Sequence, residues 1–261
     1  MGDMCMKGKI VFITGASAGI GEATAMAFAA EGARLLLAAR RAGRLAEVAS
    51  RALSRGATEV HSIDLDVRSR HGVQRAIDEL PSEWAEIDVL VNNAGLNRGM
   101  EKLYTGKIED WEEMIDTNVK GLLYVARAVV PMMVVRGRGH VVNVCAMAGE
   151  VAYPNSAVFC GTKAAARTIN DCLREDLLGT PVRVTSVDPG LVETDLNLAR
   201  CHGDPGRAAK MYKGIKPLTA EDVADVILWA VSRPAHVNIA RISLTSVHQT
   251  NTLLVHREAT E

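Results

Sequence analysis

Two stretches of the chain carry residue types suited to holding a phosphorylated ligand. The first is Thr14-Gly15-Ala16-Ser17-Ala18-Gly19-Ile20-Gly21. Glycines at this spacing allow a tight turn and let backbone N–H groups approach an anion at a helix N-terminus. The pattern, G-x-x-x-G-x-G, differs from the G-x-G-x-x-G dinucleotide fingerprint, and a turn of this kind also arises for purely structural reasons. The second stretch is Arg40-Arg41, with Arg44 nearby. Guanidinium forks suit a phosphate dianion; the alternative is a set of solvated cations at a helix start, mildly opposed by the helix dipole. A third group surrounds Lys163 in Phe159-Cys160-Gly161-Thr162-Lys163, where positions 159 and 163 share one helix face. Ala146 lies thirteen residues before Phe159.

The elements that must position these groups alternate along the chain. Apolar, β-branched runs at residues 9–14, 34–39, 60–65, 87–91, 140–144, 182–187 and 239–244 predict seven strands. Between them, helical patterns fall at 20–30, 45–54, 73–80, 111–130, 162–178 and 221–232. Such alternation predicts an α/β fold: a doubly wound, Rossmann-type parallel sheet of about seven strands with helices on both faces. The sequence shows no internal repeat and no linker, so residues 1–261 are expected to form one domain. The polar segment 192–216 follows a strand's carboxyl end, where ligands bind in such sheets, and reads as a lid over the site. The alternative is a surface insertion without a role.

Further residues fall at the same strand ends. Asp66-Val67 follows the third strand, Asn92-Asn93-Ala94-Gly95 the fourth, and Pro189-Gly190-Leu191-Val192-Glu193-Thr194 the sixth, while Asn118 sits in the long fourth helix. With the glycine turn and a Y-x-x-x-K-like window closed by Lys163, this set resembles the short-chain dehydrogenase/reductase family over essentially the whole chain. The resemblance implies that Gly15, Ser17, Gly19, Ile20 and Gly21 surround a pyrophosphate. It implies that Asp66 and Val67 meet the adenine and that Asn93, Ala94 and Gly95 flank its ribose. Val192 and Thr194 would then hold the nicotinamide carboxamide, with Pro189 and Gly190 also on the cofactor. Asn93 has a second reading, since amides at strand ends often satisfy backbone groups. An acid at the end of the second strand would favour NAD; Ala39 stands there, followed by Arg40 and Arg41, which predicts NADP.

In that family a Ser hydroxyl polarises the substrate carbonyl, a Tyr phenol moves the proton, a Lys lowers the phenol pKa and an Asn holds a relay water. Asn118 and Lys163 are present, whereas Ala146 stands at the Ser position and Phe159 at the Tyr position. Neither side chain can donate a proton, so the resemblance implies an oxidoreductase site in a catalytically impaired form. Two lost oxygens in an otherwise complete motif set read as a deliberate double replacement; the alternative is a natural, non-catalytic NADP-binding sensor or scaffold. Cys145 and Tyr153 are the nearest other proton donors, and Cys145 is expected to point away from Ala146.

The C-terminal half, with Tyr153-Pro154-Asn155, Lys216-Pro217-Leu218-Thr219 and Arg233-Pro234-Ala235-His236, resembles the subgroup that oxidises 3-hydroxy acids such as serine. It implies a small substrate, possibly anionic, touching Ala146, Tyr153 and Phe159, with Arg200, Arg207, Lys210 and Lys213 as candidate cations. Solvated surface charge is the alternative for each of the four.

A net charge of −1 argues against a nucleic-acid partner. Five cysteines without CxxC spacing argue against a metal site and for reduced thiols in the cytoplasm. No run of 18 uninterrupted apolar residues predicts a membrane span. Met1-Gly2 lacks the Ser or Thr at position 6 that myristoylation needs. The family resemblance implies a homotetramer or homodimer.

Overall fold

Side chains alternate across each central strand, and both faces of the sheet are apolar. In β1 (Ile10–Thr14), Val11 and Ile13 pack on one side while Ile10 and Phe12 pack on the other. β2 (Arg34–Ala39) repeats this with Leu35 and Leu37 against Leu36 and Ala38. Strands apolar on both faces need cover on both faces, which is the condition for a parallel sheet. The structure, a computed structural model, describes residues 6–259. Cys5 and the Met1-Gly2 start lie outside the described residues.

Five further strands complete the sheet: β3 (Glu59–Asp64), β4 (Val89–Asn92), β5 (Gly139–Val144), β6 (Val182–Pro189) and β7 (Arg241–Leu244). All seven are parallel, in the order β3-β2-β1-β4-β5-β6-β7. One face is covered by α1 (Gly19–Ala30), α2 (Ala42–Arg55) and α9 (Ala220–Val231), through Phe28, Leu45, Val48, Val223 and Ile227. The other face is covered by α3 (Arg70–Asp78) and α5 (Leu122–Arg136), whereas α4 (Ile108–Ile115) packs through Met114 beside Leu96 and Phe159. Val73, Ile77, Val125, Val129 and Met133 supply that second core.

α4 and α5 form one continuous helix, Ile108–Arg136, joined by a π-helical turn at Asp116–Gly121 that contains Asn118. Its most apolar 18-residue window has a mean hydropathy of 1.4, and at 29 residues the helix satisfies the length and composition of a membrane span. Its apolar side is spent on the sheet, as Val125 and Val129 show. α6 (Ala157–Asp176) starts five residues before its predicted position, which places Phe159 inside its first turn. The segment 192–216 folds as α7 (Asp195–Arg200) and α8 (Pro205–Tyr212). Thr194 Oγ1 caps α7 by accepting from Leu196 N, and Asp204 caps α8 ahead of Pro205.

His140 sits in the middle of the sheet. Thr185 Oγ1 donates to Ile239 O at 2.6 Å, so the 2.8 Å contact between His140 Nε2 and that oxygen makes the imidazole the donor. Nδ1 is then a bare acceptor with no partner. Burial, with the nearby Arg183 charge, pushes the His140 pKa down to about 3. The ring is therefore neutral when folded but protonates near pH 6.5 when unfolded. Its stabilisation is complete above about pH 6.5 and is lost as pH falls from there toward about 3. Urea unfolding between pH 6.5 and about 4 should show this loss, and His140→Asn should flatten the slope by about 1.4 kcal/mol per pH unit. An unchanged slope would show that His140 is not the group that titrates.

Candidate active site

The strand order reverses between β1 and β4, and there the chain leaves the two strands in opposite directions. A cleft of about 670 Å³ opens at this point, above the carboxyl ends of the strands. The glycine turn after β1 forms its floor, with Gly15, Ser17, Gly19 and Ile20 on the surface. Gly21 lies beneath them: a Cβ there would come within 2.5 Å of both Asn93 Nδ2 and Gly15 O. Asn93 Nδ2 donates to Thr14 O at 2.9 Å and Gly15 O at 3.3 Å. Its side chain therefore braces the turn, and Asn93, Ala94 and Gly95 line the cleft.

Arg40 and Arg41 leave the end of β2 and line the same cleft. α2 starts here with no acid in its first turn. Arg41 Nε and Nη2 each reach Ser17 Oγ at 3.2 Å, which ties the strand end to the glycine turn. Asp66 and Val67 close this wall. Burial alone would raise the Asp66 pKa, but a forked hydrogen bond from Arg68 holds it below the usual carboxylate value.

The opposite end is built from β5, α6 and the segment after β6. Pro189, Gly190, Val192 and Thr194 line it. Lys163 is buried, and its Nζ donates to Val144 O at 3.0 Å. Burial lowers its pKa, opposed by the Cys145 and Asp188 charges. Ala146 and Phe159 both line the cleft and belong to one apolar cluster with Tyr153, Leu96, Met114 and Leu196. Cys145 packs instead against Leu122 and Ala166, as the alternation of an extended chain requires, and burial pushes its thiol pKa up.

Asn118 braces the segment that follows β4. Its Nδ2 donates to Leu96 O at 2.9 Å and Thr162 Oγ1 at 3.0 Å, and its Oδ1 accepts from Leu96 N at 2.8 Å. Both amide protons are used in bracing the chain after β4, and the side chain lies behind the cleft wall rather than on it. It stays close to Lys163 nonetheless: a Cβ on Gly95 would lie 3.3 Å from Asn118 Oδ1 and 3.5 Å from Lys163 Nζ.

Of the four candidate cations in 192–216, Arg200 alone lines the cleft; Arg207, Lys210 and Lys213 do not. Arg200 is buried, donates from Nη2 to Ser156 Oγ at 2.6 Å, and lies 5.4 Å from the centre of the Tyr153 ring. Sequence reasoning missed Arg98, Asn197 and the C-terminal tail, whose Gln249, Thr252 and Arg257 also line the cleft. Gln249 Oε1 accepts from Leu191 N at 2.8 Å, and Thr252 donates to Val151 O at 2.6 Å. No periodic pattern or motif marks that tail. Among the described residues no cluster of His, Cys, Asp and Glu could hold a metal, and the four described cysteines are free.

The sequence pattern of the short chain dehydrogenases matches residues 9–203. The chain belongs to the short chain dehydrogenase family. It is 43% identical over 251 residues to an NADP-dependent 3-hydroxy acid dehydrogenase of Escherichia coli K12, covering 95% of this chain and 100% of that one. It is 40% identical to an NADP-dependent 3-hydroxy acid dehydrogenase of Schizosaccharomyces pombe, covering 97% and 98%. A solved closed form of serine dehydrogenase complexed with NADP+ superposes with a TM-score of 0.89 at 43% identity, covering 95% of this chain and 100% of that one. In this dehydrogenase the floor and walls of the cleft offer backbone N–H groups, a serine hydroxyl and two guanidinium groups, a donor set that fits a phosphorylated dinucleotide.

Proposed function

We propose that this chain is an NADP(H)-dependent dehydrogenase of small 3-hydroxy acids whose proton-transfer pair has been removed. The observation that carries this reading is the pairing of Ala146 with Phe159 in one apolar cluster, beside a buried Lys163, in a cleft whose dinucleotide half is complete. The 43% identical relatives support the cofactor and the substrate class. When bound, the nicotinamide supplies or takes the hydride at the carbon bearing the oxygen. Gly15, Ser17, Gly19 and Ile20 would hold its pyrophosphate, and Arg40 and Arg41 the adenosine 2′-phosphate.

The chain's own residues divide the remaining work. Arg200 has no acidic partner among the described residues, although it is buried. An uncompensated guanidinium in that setting is costly, and a substrate carboxylate would relieve the cost. Leu96, Met114 and Leu196 exclude water from the reacting end. Lys163 Nζ is held at the inner wall by Val144 O, where a phenol at position 159 would need an amine beside it. The step left without a residue is proton transfer at the substrate oxygen, since Ala146 ends in a methyl group and Phe159 in a phenyl ring. Tyr153 brings the one phenol on the cleft wall among the described residues, under the Arg200 guanidinium. Two side chains shortened by one oxygen each, inside an otherwise complete site, read as a deliberate inactivation.

Installing Ala146→Ser together with Phe159→Tyr should raise NADPH oxidation with a small 3-oxo acid by about 10³-fold or more, the scale set by losing an acid and an oxyanion donor. No turnover across a panel of oxo acids and aldehydes would contradict this reading and leave a sensor or scaffold. In that restored background Arg200→Gln should raise KM for a carboxylate substrate about 10- to 100-fold, the loss of one charge-assisted contact, and spare uncharged aldehydes. Equal effects on both substrate types would remove the carboxylate role from Arg200.

A further inference from the structure

The roof of the cleft is tied to its cofactor wall by charge. Asp195, the first residue of α7, accepts from Arg44 Nη1 at 3.1 Å and lies 3.8 Å from Arg41 Nη1. With Nε and Nη2 already on Ser17 Oγ, Arg41 has its whole fork engaged. Arg40 likewise faces an acid, with Nη1 3.6 Å from Glu113. The two acids differ in how they would fare if an arginine left. Glu113 keeps Arg98 Nε at 2.8 Å and Arg68 Nη1 at 3.5 Å. Asp195 pairs with Arg41 and Arg44 alone among the described residues.

We propose that Asp195 is a specificity-determining residue that competes with the adenosine 2′-phosphate for Arg41 and Arg44. This rests on the assignment of that phosphate to Arg40 and Arg41 above. The competition is uneven. The three side chains are half exposed, at 50%, 53% and 56%, so each carboxylate pair is weak and screened. A phosphate carries up to two charges and three acceptor oxygens, and it binds the fork in two-pronged fashion. Its arrival displaces the carboxylate, and like-charge repulsion then disfavours Asp195 in its old place. NAD(H), which has no such phosphate, leaves the pair intact. Asp195 thus opposes the phosphorylated cofactor while fastening the start of α7, the helix that also carries Arg200. The presence of the phosphate is read by the same helix that faces substrate.

Asp195→Asn keeps the side chain's size and removes its charge at an exposed position, so the fold survives it. Titration calorimetry on the whole chain should show NADP+ binding about three- to tenfold tighter, as a lost repulsion of this size implies, with NAD+ unchanged. The gain should shrink at high salt. Arg41→Ala is the companion variant and should weaken NADP+ while sparing NAD+. If Arg41→Ala weakens NADP+ but Asp195→Asn leaves it unchanged or weaker, the competition is wrong and the phosphate assignment stands. Equal tightening of NADP+ and NAD+ in Asp195→Asn also overturns the competition. If Arg41→Ala leaves NADP+ binding unchanged, the phosphate assignment fails and this inference fails with it.

Discussion

Where the strand order reverses, β1 and β4 are locked together by reciprocal hydrogen bonds between Thr14 and Asn93. Thr14 Oγ1 accepts from Asn93 N and Ala94 N at 3.1 Å each, and Asn93 Nδ2 donates back to Thr14 O and Gly15 O. Backbone groups just past a strand end have lost their ladder partners and must find others. This clamp supplies them, so the chain departs to both sides while its polar groups stay paired. The crevice between the departing segments is the cleft. Gly21 follows from the same constraint, because a side chain there would strike the Asn93 amide that makes the clamp. One interaction thus fixes the glycine turn, the backbone of Asn93 to Gly95 and, through Gly95, the proximity of Asn118 and Lys163.

On that frame the two halves of the cleft differ chemically. The half that would hold the dinucleotide is lined by charged groups, each already held by a named neighbour: Arg41 by Ser17, Arg40 by Glu113, Asp66 by Arg68. The other half is apolar where a reductase needs hydroxyls. Ala146 and Phe159 fill their space with carbon, and Lys163 keeps its place by donating to Val144 O. A methyl group and a phenyl ring at these positions leave the packing closed.

Much of this was legible in the sequence, for physical reasons. Buried parallel strands are continuous apolar runs, so residues 34–39 coincide with β2, and β1 and β5 fall within one residue of expectation. Elements decided by distant partners were less legible. β6 runs past residue 187 because Asp188 and Pro189 pair with Ser243 and Leu244 in β7. α6 begins at Ala157 without a side-chain cap; the Ser156 hydroxyl that could cap it accepts from Arg200 instead. Asn118 was identifiable by its position, but its full engagement with Leu96 and Thr162 depends on the π turn, which no local pattern encodes. The tail residues Gln249 and Thr252 reach the cleft through contacts with Leu191 and Val151 that lie far away in sequence.

On the function proposed above, the site holds its cofactor and cannot use it. The direct measurement is the fluorescence of NADPH bound to the chain as it stands, followed after a small 3-oxo acid is added. Fluorescence should rise on binding and then persist, because hydride transfer would have no proton donor to accompany it. Rapid decay of that signal on adding the oxo acid, at the rate of a working reductase, would contradict it.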